Sequence, residues 1–417
     1  MAHASENQRP ENTPPRFRQG SEKSLKATSS KTAEASNEDL ILFSQKAEAI
    51  RKACDLHDID ALVSHATSEG GFLHDELRRL AWPILLQYDK NTQSELSPEE
   101  DLPPHRDEEQ VQLDVHRAFV YYPECPEDEL SSKKNELSRV IKQVLRNYPM
   151  LCYFQGYHDI VQVLLLVLGG AQSAPALTRL SLLRIRDYML PSLSPAVKHL
   201  QIIPAIIQRA DATLYQRLSG IHPFFALSAS LTLYAHDIQE YSDIARLFDF
   251  LLAWEPVVSI YLFVAIVLSR RKELLEIPED EPEMLHFTLS KLPQPLDLEG
   301  LISQAVQLFH EYPPESLPSG VWRKIPRCSV LKTSRNVFNR QSTDAAVDLF
   351  NKQTKHLRSE ERREQFFGFL WSHRRTIGSV AVTVFIGAMS FWIRKRGLDH
   401  TLISYFDRFR LAFQGRQ

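Results

Sequence analysis

Three short constellations hold the side chains of this chain that are suited to chemistry: Arg78-Arg79-Leu80-Ala81-Trp82, Val111-Gln112-Leu113-Asp114-Val115-His116-Arg117, and Tyr153-Phe154-Gln155-Gly156-Tyr157-His158-Asp159. Asp114 and Arg117 are three residues apart, so on a helix they share a face and the carboxylate can hold the guanidinium in one orientation. Gln155 stands just before Gly156 and an apolar run. At such a helix start, free N–H groups and the positive end of the dipole favour an anion such as phosphate. Arg78 and Trp82 suit a scaffold contact, an arginine laid over an indole face. Each of the three also has a plain structural explanation: a surface ion pair, a turn glutamine, a packing contact. The adjacent His158 and Asp159 offer a different chemistry. With His116 and Asp237 they could serve as ligands of an all-α metal-dependent phosphohydrolase, although no second histidine stands at a fitting spacing.

Positioning these side chains falls to helices. Apolar residues at Leu40, Phe43, Ala47 and Ile50, and again at Leu73, Leu77, Leu80, Ile84 and Leu85, follow helical spacing. Residues 93–109 are rich in proline and acid and suit a solvated loop. Leu137, Val140, Ile141, Val144 and Leu145 repeat at i, i+3, i+4, i+7 and i+8 and stop at Tyr148-Pro149, because proline disfavours helix in the residue before it. Residues 160–168 are apolar on nearly every side and must be central. Similar patterns fill residues 177–190, 202–218, 224–234, 244–252 and 260–268, and no period-two strand appears. The expected fold class is all-α, a multi-helix domain over residues 39–314.

The two ends differ from this body. Residues 1–38 carry Ser, Thr, Lys, Glu, Asn and Pro with few large apolar groups, the composition of a disordered tail. Residues 315–373 turn polar and basic, with Arg335, Arg340, Lys352, Lys355, Arg358, Arg362 and Arg363, and are expected to be a linker. Residues 377–393 hold no charge and are bracketed by basic triplets, which points to a transmembrane helix. At a rise of 1.5 Å per residue the run spans about 26 Å, near the roughly 27 Å core of the endoplasmic reticulum bilayer. Residues 394–417 place Leu402, Phe406, Phe409 and Phe413 at helical spacing, as in a short amphipathic tail. Four scattered cysteines (Cys54, Cys125, Cys152, Cys328) suggest reduced thiols, and a net charge of -3 gives no reason to expect nucleic-acid binding.

In order and spacing, the three constellations resemble the R-x-x-x-W, I-x-x-D-x-x-R and Y-x-Q-G motifs of the TBC domain, the catalytic unit of Rab GTPase-activating proteins. Val111 stands for the usual isoleucine, and Ala229 and Leu233 where large aromatics are common. The resemblance covers about residues 72–314 and implies an all-helical fold. It also implies that Arg117 is an arginine finger and Gln155 a glutamine that positions the attacking water. Asp114, Tyr153, Gly156, Arg78 and Trp82 would support them. The implied partner is a GTP-bound Rab-family GTPase, which itself holds the magnesium and GTP, so that no metal or cofactor belongs to this chain. The expected setting is the endoplasmic reticulum or early Golgi membrane, with the catalytic domain in the cytosol and a role in ER-to-Golgi vesicle traffic. The alternative is a catalytically silent Rab-binding scaffold on the same membrane.

Overall fold

The computed structural model describes residues 37–88, 96–335 and 341–372. Residues 1–36 of the polar tail and the apolar run at residues 377–393 lie outside them, as does the amphipathic tail. Among the described residues no helix is long and apolar enough to cross a membrane, and no strand occurs.

The chain opens with α1 (Asn37–Asp55), α2 (Ile59–Thr67), α3 (Asp75–Leu85) and α4 (Glu108–His116). It continues through α5 (Glu127–Asn147), α6 (Tyr157–Leu168) and α7 (Gly170–Leu183). Short pieces follow: α8 (Ser194–Leu200), α9 (Ile202–Ala210), α10 (Ala212–Arg217) and α11 (Leu227–Leu231). The later body is α12 (Tyr241–Ala253), α13 (Val258–Ser269), α14 (Arg271–Glu276), α15 (Pro282–Leu289) and α16 (Leu298–Glu311), and α17 (Val321–Lys324), α18 (Val330–Thr333) and α19 (Thr343–Ser372) close the described chain.

Hydrophobic patterning decides which helices are central. In α13 every residue from Val258 to Val267 is buried, and it packs against both α9 and α16. In α6 only Asp159 and Leu166 escape full burial, which matches a sequence apolar all round. α5 is amphipathic, and the residues it buries include Leu137, Val140, Ile141, Val144 and Leu145. It ends at Asn147, and its C-cap residue Tyr148 directly precedes Pro149.

Two sequence expectations need correction. The apolar pattern at residues 202–218 is broken at Asp211, whose side chain accepts from Leu214 N at 2.9 Å and starts α10. Within the stretch at residues 315–373, expected to be a polar linker, residues 315–335 and 341–357 are folded onto the body. Ile325, Val330, Leu331, Ala346, Phe350 and Leu357 are all buried, and α19 packs on α7. The physical reason is a narrow stripe: Ala346, Phe350, Gln353 and Leu357 recur at i, i+4, i+7 and i+11, and the many basic residues between them face away. A count of charges conceals such a stripe.

A buried polar network fastens this stretch. Asp187, fully buried, accepts from Gln353 Nε2 at 2.6 Å and Val330 N at 3.1 Å. Its other oxygen faces Ser329 Oγ at 2.5 Å and His199 Nε2 at 3.0 Å. Arg186 donates to Gln353 Oε1 at 2.7 Å and to the Cys328 carbonyl at 2.8 Å. Burial works against the Asp187 charge, but these donors outweigh it and hold the carboxyl below its ordinary value.

Candidate functional site

α4 ends where its last turn presents Arg117. The guanidinium Nη2 lies 2.6 Å from Asp114 Oδ1, the i, i+3 pairing expected of a helical segment. The two partners differ sharply in exposure: the Asp114 side chain is 0% accessible and that of Arg117 55%. The pair is thus a buried anchor with an outward-facing cation. Gln110 Nε2 donates to the same Asp114 oxygen at 2.9 Å, and the Tyr153 hydroxyl donates to the other at 2.8 Å. Burial and Asp114 together push the Tyr153 phenol far above its ordinary value, so it stays a donor.

Behind Arg117 the chain turns sharply. Phe119 is buried with φ +61°, an uncommon conformation for a bulky residue that needs outside support. α6 supplies it: Gln162 Oε1 accepts from Phe119 N at 2.9 Å, and Gln162 Nε2 donates to Tyr122 O at 3.3 Å. The residues that follow Arg117 are therefore clamped to the helix that begins beside Gln155.

Gln155 is exposed at the entry to α6, and its side chain has no partner among the described residues. The next residue must be glycine. Gly156 has φ +96°, and a Cβ there would meet Thr232 Cγ2 at 2.6 Å. The segment is held from both sides: Tyr153 N donates to Asp107 Oδ2 at 2.9 Å, and the Tyr157 hydroxyl lies 2.7 Å from Ser181 Oγ. The structure thus joins Asp114, Arg117 and Tyr153 in one cluster, with Gln155 and Gly156 immediately beyond it in the chain.

Arg78 and Trp82 lie elsewhere, in the seam between α3 and α12. Instead of the expected stacking, they meet at a common carboxylate. Asp249 Oδ1 accepts from Arg78 Nε at 3.1 Å and from Trp82 Nε1 at 2.8 Å, and Oδ2 accepts from Phe72 N at 3.0 Å. Burial works against the Arg78 charge, and Asp249 and Asp75 outweigh it, so the guanidinium sits above its ordinary value. Gly71 makes room for this seam, since a Cβ there would meet Asp249 Oδ2 at 2.5 Å. Arg79 Nε donates to Val167 O at 2.6 Å and ties α3 to the far end of α6.

The alternative metal ligands are placed differently. His158 Nε2 faces Asp159 Oδ1 at 3.3 Å, and its Nδ1 lies 3.7 Å from Asp114 Oδ2. Burial pushes the His158 imidazole below its ordinary value, with Asp159 and Asp114 pulling the other way. Asp159 Oδ2 is taken by His236 Nδ1 at 2.9 Å. Among the described residues, no group of three or more His, Cys, Asp or Glu side chains is placed to hold a metal ion.

Sequence reasoning missed Asp249, Gln162, Asp107 and His236. Asp249 carries a detectable signal, an acid inside the otherwise apolar run Leu247-Phe248-Asp249-Phe250-Leu251, where a charge must find partners. The other three act through contacts between distant segments and leave no local trace.

Comparison with known proteins identifies the family. A family model described as the Rab-GTPase-TBC domain matches residues 75–275. The chain is 34% identical over 312 residues to the GTPase-activating protein gyp10 of Schizosaccharomyces pombe, covering 73% of this chain and 83% of that protein. It is 32% identical over 351 residues to TBC1 domain family member 20 of Homo sapiens, covering 83% and 87% respectively. Among solved structures it is similar to the crystal structure of the Ypt/Rab-GAP domain of Gyp1p, with a TM-score of 0.45 and 15% identity over 64% of this chain and 93% of that one.

Proposed function

The chain belongs to the Rab-GTPase-TBC domain family of GTPase activators, and from that premise we propose that it completes the active site of a GTP-loaded Rab by inserting Arg117 and Gln155. The observation that carries the proposal is the Arg117–Asp114 pair, an exposed guanidinium fixed by a wholly buried carboxylate. During GTP hydrolysis negative charge spreads over the transferring phosphoryl. A planar cation brought in from outside stabilises that transition state more than the ground state. Such a finger is worth about 10³- to 10⁵-fold, or roughly 4 to 7 kcal/mol. Gln155, exposed and without a side-chain partner among the described residues, would orient the attacking water, a contribution of position. Magnesium and nucleotide come with the Rab.

Exposed apolar residues flank the finger and suit the docking of a folded partner: Leu113 one turn earlier on α4, and Val120 and Tyr121 just after it. For location, we propose that residues 377–393 anchor the catalytic domain to the cytosolic face of the endoplasmic reticulum or early Golgi, where a run of that length fits the bilayer. A role in vesicle traffic between those compartments follows from that placement. Removing residues 377–417 is expected to shift the protein to the soluble fraction; continued membrane pelleting would contradict the anchor.

The function itself is tested by single-turnover GTP hydrolysis with a panel of purified Rabs. Acceleration of at least one Rab by the wild-type chain, lost in Arg117→Lys because lysine lacks the planar fork, is the expected result. Binding without acceleration would make the chain a silent scaffold.

A further inference from the structure

The turn after α11 stores strain beside the site. Leu233 and Tyr234 are consecutive residues with left-handed backbone, φ +50° and +67°, a conformation that persists only where surrounding contacts impose it. Here they do. Tyr234 is fully buried and donates its hydroxyl to Ser259 O at 2.6 Å. Thr232, just before, packs against Gly156 and donates its hydroxyl to Ser228 O at 2.9 Å.

What the turn delivers is His236. Its Nδ1 is held by Asp159 Oδ2 at 2.9 Å, yet its side chain remains 62% exposed. The other ring nitrogen, Nε2, has no partner among the described residues. Asp159 leads onward through His158 at 3.3 Å to Tyr153, whose hydroxyl lies 3.4 Å from His158 Nδ1, and so to Asp114 and Arg117. One chain of polar groups therefore runs from an exposed guanidinium to an exposed imidazole, and passes close to Gly156, where a Cβ would meet Asp159 Oδ2 at 3.9 Å.

We propose that His236 is a third partner-contact residue of this site, its exposed Nε2 donating to an anionic oxygen on the GTP-loaded Rab while Asp159 fixes the ring through Nδ1. This rests on the assignment of Arg117 and Gln155 to the same partner. The groups facing His236 set its charge. The hydrogen bond to Asp159 raises its pKa above the ordinary value, with Asp237 adding to it; partial burial, Arg117 and His158 oppose. The donating form therefore dominates at and below the ordinary histidine value and is lost as pH rises through the raised one.

The test uses the full chain in detergent with whichever Rab the wild type accelerates most, and reads KM and kcat separately from pH 6 to 8.5. His236→Gln is expected to raise KM at pH 6.5 by about tenfold, what one hydrogen bond to a charged group is worth, with kcat within about twofold. The wild-type KM should climb with pH toward that of the variant. His236→Arg, cationic throughout, should keep a low KM and lose the pH dependence. Binding to GDP-loaded and GTP-analogue-loaded Rab separates two sources of the oxygen: a loss confined to the triphosphate form assigns it to the γ-phosphate, and an equal loss assigns it to a carboxylate of the Rab. An unchanged KM across the pH range in His236→Gln, or a loss in kcat alone, overturns the proposal while leaving the finger assignment intact. If the wild type accelerates no Rab, both fall together.

Discussion

Asp114→Asn isolates what fixing the finger is worth. The carboxylate is wholly buried and accepts three hydrogen bonds, from Arg117, Gln110 and Tyr153, and asparagine keeps its shape while removing its charge. An arginine side chain carries about 2 kcal/mol of rotamer entropy. In the wild type that freedom is already spent before the partner arrives; in the variant it must be given up on the way to the transition state. At 1.36 kcal/mol per decade, the full amount corresponds to about a 30-fold slower stimulated rate. Removing Arg117 itself should cost at least about 10³-fold. Stability should change as well. Asparagine offers one good acceptor where the carboxylate offered two, so a charge-assisted hydrogen bond worth about 1.5 to 3 kcal/mol is lost. The assay is single-turnover hydrolysis of Rab-bound GTP, with a thermal melt of each variant to confirm folding. A wild-type rate in Asp114→Asn would refute the positioning argument. A loss equal to that of Arg117→Ala would refute it in the other direction, since Asp114 would then take part in the chemistry itself.

Gly156→Ala should lower stability by about 1 to 2 kcal/mol from the left-handed backbone alone, and more through the close approach of Thr232; stimulated hydrolysis, which depends on where Gln155 points, should fall further than a melt accounts for. Gln353→Ala should destabilise by about 2 to 4 kcal/mol in chemical denaturation, because Arg186 and Asp187 each lose a buried partner. An unchanged midpoint would mean that α19 is not fastened by this network. The pH dependence of stability should carry the mark of His158. Its folded pKa is lowered by burial, so the unfolded chain binds the extra proton first, and stability falls as pH drops below about 6.5. The decline should level off once pH passes the folded value, and His158→Asn should abolish this contribution in melts run between pH 5 and 7.5.

How much of this was legible in the sequence depends on how far each contact reaches. The Asp114–Arg117 pair spans three residues, and helical periodicity around Val111 and Val115 is enough to place it on one face. α13 and α6 declare themselves central by having no polar side broad enough to meet water. By contrast, Arg78 and Trp82 were expected to stack because an arginine commonly lies over an indole face, and the acceptor that joins them is 171 residues from Arg78 in the chain. α19 was hidden because its buried stripe is thin and its exposed faces are densely charged, so composition pointed to a linker and the spacing of Ala346, Phe350, Gln353 and Leu357 went unread. The strained turn before His236 leaves no sequence trace, since Leu233 and Tyr234 are not residues that favour left-handed backbone.

The central claim is that Arg117 and Gln155 act on the transition state, and complex formation with a transition-state mimic tests it most directly. Aluminium fluoride added to Rab·GDP stands in for the transferring phosphoryl, and an activator that works by transition-state binding should grip that form far more tightly than Rab·GDP alone. The measurement is the affinity of the full chain for its Rab·GDP with and without aluminium fluoride, for wild type, Arg117→Ala and Gln155→Ala. The expected result is a complex that tightens with aluminium fluoride in the wild type and shows no such gain in either variant. A wild-type affinity indifferent to aluminium fluoride, or variants that tighten as the wild type does, would contradict the account.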